Sequence, residues 1–104
     1  MAKKAIVIGS GIAGIASAVR LSQKGYSVSV FEANNYPGGK LTSMQLGAYR
    51  FDAGPSLFTL PHLVDELFEL TGRNPRDYFN YRQLETLCHY FFEDGTVLHA
   101  YADQ

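Results

Sequence analysis

Ala5-Ile6-Val7-Ile8-Gly9-Ser10-Gly11-Ile12-Ala13-Gly14 is the stretch on which the fold turns. Its first four residues are apolar and rich in β-branching, the pattern of a parallel strand covered on both faces. The glycines break that strand. Good helix formers without proline then run from Ile12 to Lys24, and Gly25 stands where a helix commonly stops in a positive-φ conformation. Tyr26 to Phe31 alternates as a second strand does. Strand, glycine turn, helix and strand together predict a right-handed βαβ unit.

The turn has a chemistry of its own. Gly9, Ser10, Gly11, Ile12, Ala13 and Gly14 form a G-x-G-x-x-G fingerprint in the setting the motif requires, after a strand and at the start of a helix. Gly9 allows the tight turn. Gly11 lets backbone approach a pyrophosphate, and Gly14 lets the helix pack close to the strand. Free N–H groups at the helix start then face the phosphates. Glu32, at the end of the second strand with Ala33 beside it, lies 23 positions after Gly9. An acid at about that distance accepts hydrogen bonds from ribose hydroxyls, and its charge disfavours a 2′-phosphate. An ADP moiety satisfies both elements, and FAD and NAD each contain one.

Outward from this unit the pattern changes. Asn34 to Gly39 is a loop, Leu41 to Leu46 and Tyr49 to Phe51 are candidate strands, and Ala53 to Ser56 is another loop. Pro61 opens a helix in its favoured first position. Leu63, Val64, Leu67, Phe68 and Leu70 fall on one stripe of that helix, with Asp65, Glu66 and Glu69 off it. Leu84 to Phe92 and Thr96 to Tyr101 form a predicted hairpin joined by Glu93-Asp94-Gly95. The expected class is α/β, a βαβ half running into a partial antiparallel β region. The expected division is a nucleotide-binding segment over 1–60 and a helix plus hairpin over 61–104, where a substrate-side region begins.

Composition narrows the function classes. The 104 residues carry 9 Lys+Arg against 10 Asp+Glu, a net charge of -1, so no basic field exists to hold nucleic acid. One cysteine excludes an internal disulfide and any multi-cysteine metal site. No apolar run is long enough to span a bilayer. From these counts the expected location is the cytoplasm. Cys88 is expected to be a buried structural thiol, and Tyr90, Phe91 and Phe92 are expected in a sheet core. His62, His89 and His99 show no ligand spacing and no carboxylate partner, so no metal is expected.

A second diglycine, Pro37-Gly38-Gly39-Lys40, follows the acid. At this distance it resembles the second glycine motif of the glutathione-reductase-type flavoproteins, especially the amine oxidase and phytoene desaturase branch. Lys40 stands where that branch usually has Arg, and Tyr36 where an earlier Arg is common, which removes one cationic contact. Phe51-Asp52-Ala53-Gly54-Pro55-Ser56 is similar to the signature of the carotenoid desaturases, the phytoene desaturase and hydroxyneurosporene dehydrogenase group. The resemblance covers nearly the whole chain and implies FAD as cofactor. It places Gly38, Gly39 and Lys40 along the dinucleotide and Gly54, Pro55 and Ser56 beside the flavin. It further implies a long polyene substrate reached from a membrane surface, with peripheral attachment to the inner membrane, and hydride transfer from a C–C single bond to the flavin. Such an enzyme needs several hundred residues, so the chain is expected to be its amino-terminal part. Catalytic groups are then expected beyond residue 104, and open sheet edges are expected to drive self-association. An amine oxidase-type enzyme of the same fold and a non-catalytic nucleotide-binding module are the alternatives.

Overall fold

The computed structural model describes residues 1–103. Strand β1 (Lys4–Ile8), helix α1 (Ile12–Gln23) and strand β2 (Ser27–Phe31) form the first unit. β1 and β2 pair in parallel, from Lys4 opposite Ser27 to Ile8 opposite Phe31. Gly25 takes φ +83° just past the helix, the positive φ expected there. The βαβ reading of the sequence holds to within one or two residues at each end.

Only one face of that pair is covered. Ala5, Val7 and Val28 are partly buried on the α1 side. Ile6 and Ile8 on the other side are 67% and 88% exposed. The expectation of a strand covered on both faces is therefore corrected. A single crossover helix can shield one face of a sheet, and among the described residues no second layer reaches the other.

Strands β3 (Ser43–Leu46) and β4 (Tyr49–Asp52) form a tight antiparallel hairpin around Gly47, which takes φ +60°. Helix α2 (Pro61–Glu69) begins at its proline, as expected. Its buried face is shifted from the predicted stripe. Val64, Leu67 and Phe68 are half-buried, but Leu63 and Leu70 are exposed and Asp65 and Glu66 are partly covered. Ion pairing accounts for the shift: Glu66 meets Arg20 of α1 at 3.0 Å, and Asp65 pairs with Arg76.

A single 3-10 turn at Pro75–Asp77, started by the Asn74 side chain accepting from the Arg76 N–H, folds the chain back under α2. Phe68 then lies 5.0 Å from Tyr78 and 5.6 Å from Phe79, centroid to centroid, and the Arg76 guanidinium stacks 4.4 Å from the Tyr81 ring. Tyr81 donates to Asp65 at 2.7 Å, which raises its phenol above the ordinary value because ionisation would set two negative charges together.

Strands β5 (Thr86–Phe91) and β6 (Val97–Tyr101) form the last hairpin. Thr86 pairs with Tyr101 and Cys88 with Ala100, so Leu87 is an extra residue in a bulge. Gly95 at φ +85° closes the turn, and the Asp94 carboxylate accepts from the Thr96 N–H, which lowers its pKa. Two expectations fail here. Cys88 is only half-buried. Tyr90, Phe91 and Phe92 are all exposed, Phe91 at 77%, because no other helix or strand among the described residues packs on the hairpin.

The three two-stranded sheets make no contact with one another among the described residues. The radius of gyration is 18.5 Å, where a compact chain of this length has about 13 Å. The accessible surface is 8710 Å², against about 5800 Å² expected for a compact protein of this mass. No Ala, Val, Ile, Leu, Met, Phe, Tyr or Cys side chain is fully buried among the described residues. Order is concentrated where backbone meets backbone, around the glycine turns.

Candidate dinucleotide site

The first glycine turn grows directly out of β1. Gly9 adopts φ +98°, which only glycine accepts readily, and its N–H donates to the Phe31 carbonyl at 2.6 Å. That bond carries the β1–β2 ladder into the turn. α1 starts at Gly11 with no side-chain cap and no acidic residue in its first turn. Its leading N–H groups and positive dipole end are therefore left to an anion from outside.

The two inner glycines differ in the space around them. A Cβ on Gly14 would overlap the Gly9 carbonyl oxygen and come within 3.6 Å of Val7. Gly14 is thus required by the protein itself, for helix-on-turn packing. A Cβ on Gly11 would meet nothing within 4 Å. The space beside Gly11 is open, as the approach of a pyrophosphate requires.

Glu32 follows the last residue of β2 and its carboxylate turns onto the glycine loop. Oε2 accepts from the Ser10 N–H and from the Ser10 hydroxyl, both at 2.7 Å. Oε1 accepts from the Asn34 N–H at 3.0 Å. These donors pull the pKa from 4.5 to about 2, the Asn34 amide contributing most, then the Ser10 amide and hydroxyl, with a small contribution from Ala33. Ser10 is 7% exposed. The sequence reading included Ser10 in the fingerprint without a role and omitted Asn34. An amide two residues after an acid at a strand end was the available signal for Asn34.

The second diglycine joins the same centre. The Gly38 N–H donates to the Ser10 carbonyl at 2.8 Å, in an isolated parallel bridge between Gly11 and Gly38. Gly38 and Gly39 take φ +108° and +60°, and a Cβ on Gly39 would sit 3.1 Å from Gly11 Cα. Diglycine is needed because two backbones touch there.

Lys40 enters this network through its backbone. A Cβ on Gly54 would overlap the Lys40 carbonyl, so the 54–56 turn rests on the 40–42 segment, and Ala53 N–H donates to Thr42 O at 2.9 Å. The glycine of the FDAGPS string thus answers to a protein–protein backbone contact in this chain. Pro55 and Ser56 border a shallow recess of about 270 Å³ with Arg50 and Asp52. The structure therefore gathers Gly9, Ser10, Gly11, Ile12, Ala13, Gly14, Glu32, Ala33, Gly38 and Gly39 at one place and ties Lys40 and Gly54 to it.

His89 and His99, expected to have no carboxylate partner, face each other across β5 and β6 with Nδ1 atoms 2.6 Å apart. Sequence spacing alone does not reveal that pair, because only the hairpin register makes it. Among the described residues no group of three or more His, Cys, Asp or Glu forms a metal centre. No helix among them is long and apolar enough to cross a membrane.

Residues 7–73, from β1 through α2, match the NAD(P)-binding Rossmann-like domain family. The chain belongs to that family. It is 64% identical over 97% of its length to a 1-hydroxycarotenoid 3,4-desaturase of a Flavobacterium species, and 42% identical over the same share to a 4,4'-diaponeurosporene oxygenase of Staphylococcus aureus. It spans 20% of the length of each of these curated relatives. A crystal structure of an oxidoreductase from Methanosarcina mazei superimposes with a TM-score of 0.52 at 31% identity, over 62% of this chain and 17% of that one. The Rossmann-like domain and its carotenoid-enzyme relatives agree with the fold and family expected from the two glycine motifs and FDAGPS.

Proposed function

We propose that this chain is the nucleotide-binding part of an FAD-dependent oxidoreductase that desaturates a carotenoid-type polyene. The observation that carries the reading is the joining of two glycine turns, through the Gly38 N–H to Ser10 carbonyl bond, beside an ionised Glu32. NAD needs only the first turn; the second extends the backbone cradle along a longer dinucleotide. The named relatives, a carotenoid desaturase and a diaponeurosporene oxygenase, support a polyene as substrate.

The residues fit an ADP moiety. The open space at Gly11 and the uncapped start of α1 accept the pyrophosphate. Glu32 accepts from ribose hydroxyls and repels a 2′-phosphate. Lys40 offers a positive charge close to the phosphates, while Gly54, Pro55 and Ser56 border the path toward the flavin. When bound, the flavin would supply a two-electron acceptor, taking a hydride from a C–H of a saturated carbon pair of the polyene, while a proton lost from the neighbouring carbon would complete the conjugated double bond. The chain's own contribution is binding and orientation; no residue here is assigned to catalysis. Residues 61–104 begin the substrate side, and the polyene is reached from the inner membrane, to which the enzyme attaches peripherally. The uncovered Ile6, Ile8 and hairpin faces make this chain self-associate.

Titration with ADP, riboflavin and 2′-phospho-ADP tests the reading. ADP binds most tightly, with 2′-phospho-ADP weaker by at least about tenfold from like-charge repulsion at Glu32. Equal affinity for the two nucleotides, or riboflavin binding better than ADP, refutes the assignment.

A further inference from the structure

We propose that Ser10 is a positioning residue for ribose recognition, its hydroxyl setting the Glu32 carboxylate that reads the adenosine ribose. This rests on the dinucleotide reading above and assigns a role to a residue that the glycine fingerprint leaves free. The fingerprint needs glycine at positions 9, 11 and 14. At position 10 any residue but proline supplies a backbone N–H; the serine hydroxyl adds a second donor to the same carboxylate oxygen.

The geometry is specific. Both donors of Ser10 end on Oε2 at 2.7 Å. An ionised carboxylate accepts about two hydrogen bonds per oxygen, so Oε2 is saturated from inside the protein. Oε1 holds the Asn34 N–H at 3.0 Å and only a long contact at 3.4 Å from the Asn34 side-chain amide. The lone pair under that long contact is the acceptor left for a ribose hydroxyl. Ser10 thus fixes which oxygen faces inward and which faces the ligand. Its burial keeps water from competing for its hydroxyl. Its carbonyl accepts from Gly38, so the residue that aims the ribose acceptor also pins the second glycine turn. The bond to Gly38 is made by backbone and survives any substitution that leaves the backbone in place; the Oγ bond does not. That separation makes the two roles distinguishable.

The test is a thermodynamic cycle with two ligands in the protein. Affinities for ADP and for 2′,3′-dideoxy-ADP, which lacks both ribose hydroxyls, are measured in the wild type, Ser10→Ala, Glu32→Gln and the double variant. In Ser10→Ala, ADP affinity falls by about three- to tenfold, the range for one hydrogen bond to a charged group after partial compensation. The dideoxy nucleotide changes by less than about twofold, which also shows that the pyrophosphate cradle is still folded. In the Glu32→Gln background, adding Ser10→Ala costs no further ADP affinity. Equal losses for both nucleotides make Ser10 a general support of the turn and overturn the proposal. Unchanged ADP affinity in Ser10→Ala overturns it as well. If neither nucleotide binds the wild type, the dinucleotide reading itself fails, and the role of Ser10 fails with it.

Discussion

The glycine centre at the start of the chain and the β5–β6 hairpin at its end are held together by opposite means. Around Gly14, Gly38, Gly39 and Gly54, backbone lies directly against backbone, and Ser10 and Glu32 satisfy one another's polar groups. The hairpin has a strand ladder broken only by the bulge at Leu87, but no other helix or strand among the described residues contacts it, and Phe91 is 77% exposed. The first region is specified by contacts too close for any side chain. The second depends on apolar area that has nothing to pack against. A two-stranded hairpin is at best marginal on its own, so its stability comes from whatever covers it, whereas the glycine centre is complete within residues 9–54.

Substitutions separate these two cases, and the largest effect is expected at Gly14. Gly14→Ala drives a Cβ into the Gly9 carbonyl and lowers stability by about 3 kcal/mol, since backbone on both sides cannot move aside. Thermal unfolding reads this directly; an unchanged melting temperature means that α1 does not pack on the turn as described. Gly11→Val comes next. The added side chain meets open space in the protein, so the fold persists, but ADP binding is lost by more than about a hundredfold because the pyrophosphate needs that space. A Gly11→Val protein that still binds ADP breaks the comparison between the two glycines.

A third effect is electrostatic. Glu32 is held at about 2 against an ordinary 4.5, so its clamp on Ser10 and Asn34 stabilises the folded loop fully above pH 4.5. That contribution is lost as pH falls from 4.5 toward 2, because the unfolded carboxylate takes up its proton first. The side-chain carboxyl chemical shift of Glu32 should titrate near 2; a midpoint near 4.5 means that the clamp is absent in solution. The smallest effect on monomer stability is expected on the hairpin. Phe91→Lys changes it by less than about 0.5 kcal/mol, since an exposed side chain loses little. The same substitution should weaken self-association, read by sedimentation velocity as a shift toward the monomer at equal concentration. Unaltered sedimentation means that the hairpin face carries no self-contact.

Much of this molecule is present in local patterns. The order of strands and helices, the hairpin turns at Gly47 and Gly95 and the three-glycine turn all follow from short-range rules, because positive φ and β-branched runs act within a few residues. The same holds for the meeting of Gly9, Gly11, Gly14 and Glu32, since the spacing of a βαβ unit forces the turn and the strand end to one edge. Other features were decided only in three dimensions. Asp65 and Glu66 look like solvated positions off the α2 stripe, yet they pair with Arg76 and Arg20, across 11 and 46 positions of chain. The His89–His99 pair exists only through the register of β5 on β6. Tyr90, Phe91 and Phe92 have the composition of a core and lie exposed, because burial is a property of what packs against a residue rather than of the residue. Gly54 needs no side chain because the Lys40 carbonyl lies against it, and that carbonyl arrives from a different loop. Sequence alone determined where this chain bends and which residue types gather at the glycine turn and the strand end, since those depend on backbone freedom and charge over short distances. Tertiary structure alone decided that Ser10 holds Glu32 and that Gly38 closes on Ser10, because such contacts form only after α1 and β2 have brought residues more than twenty positions apart within hydrogen-bonding reach.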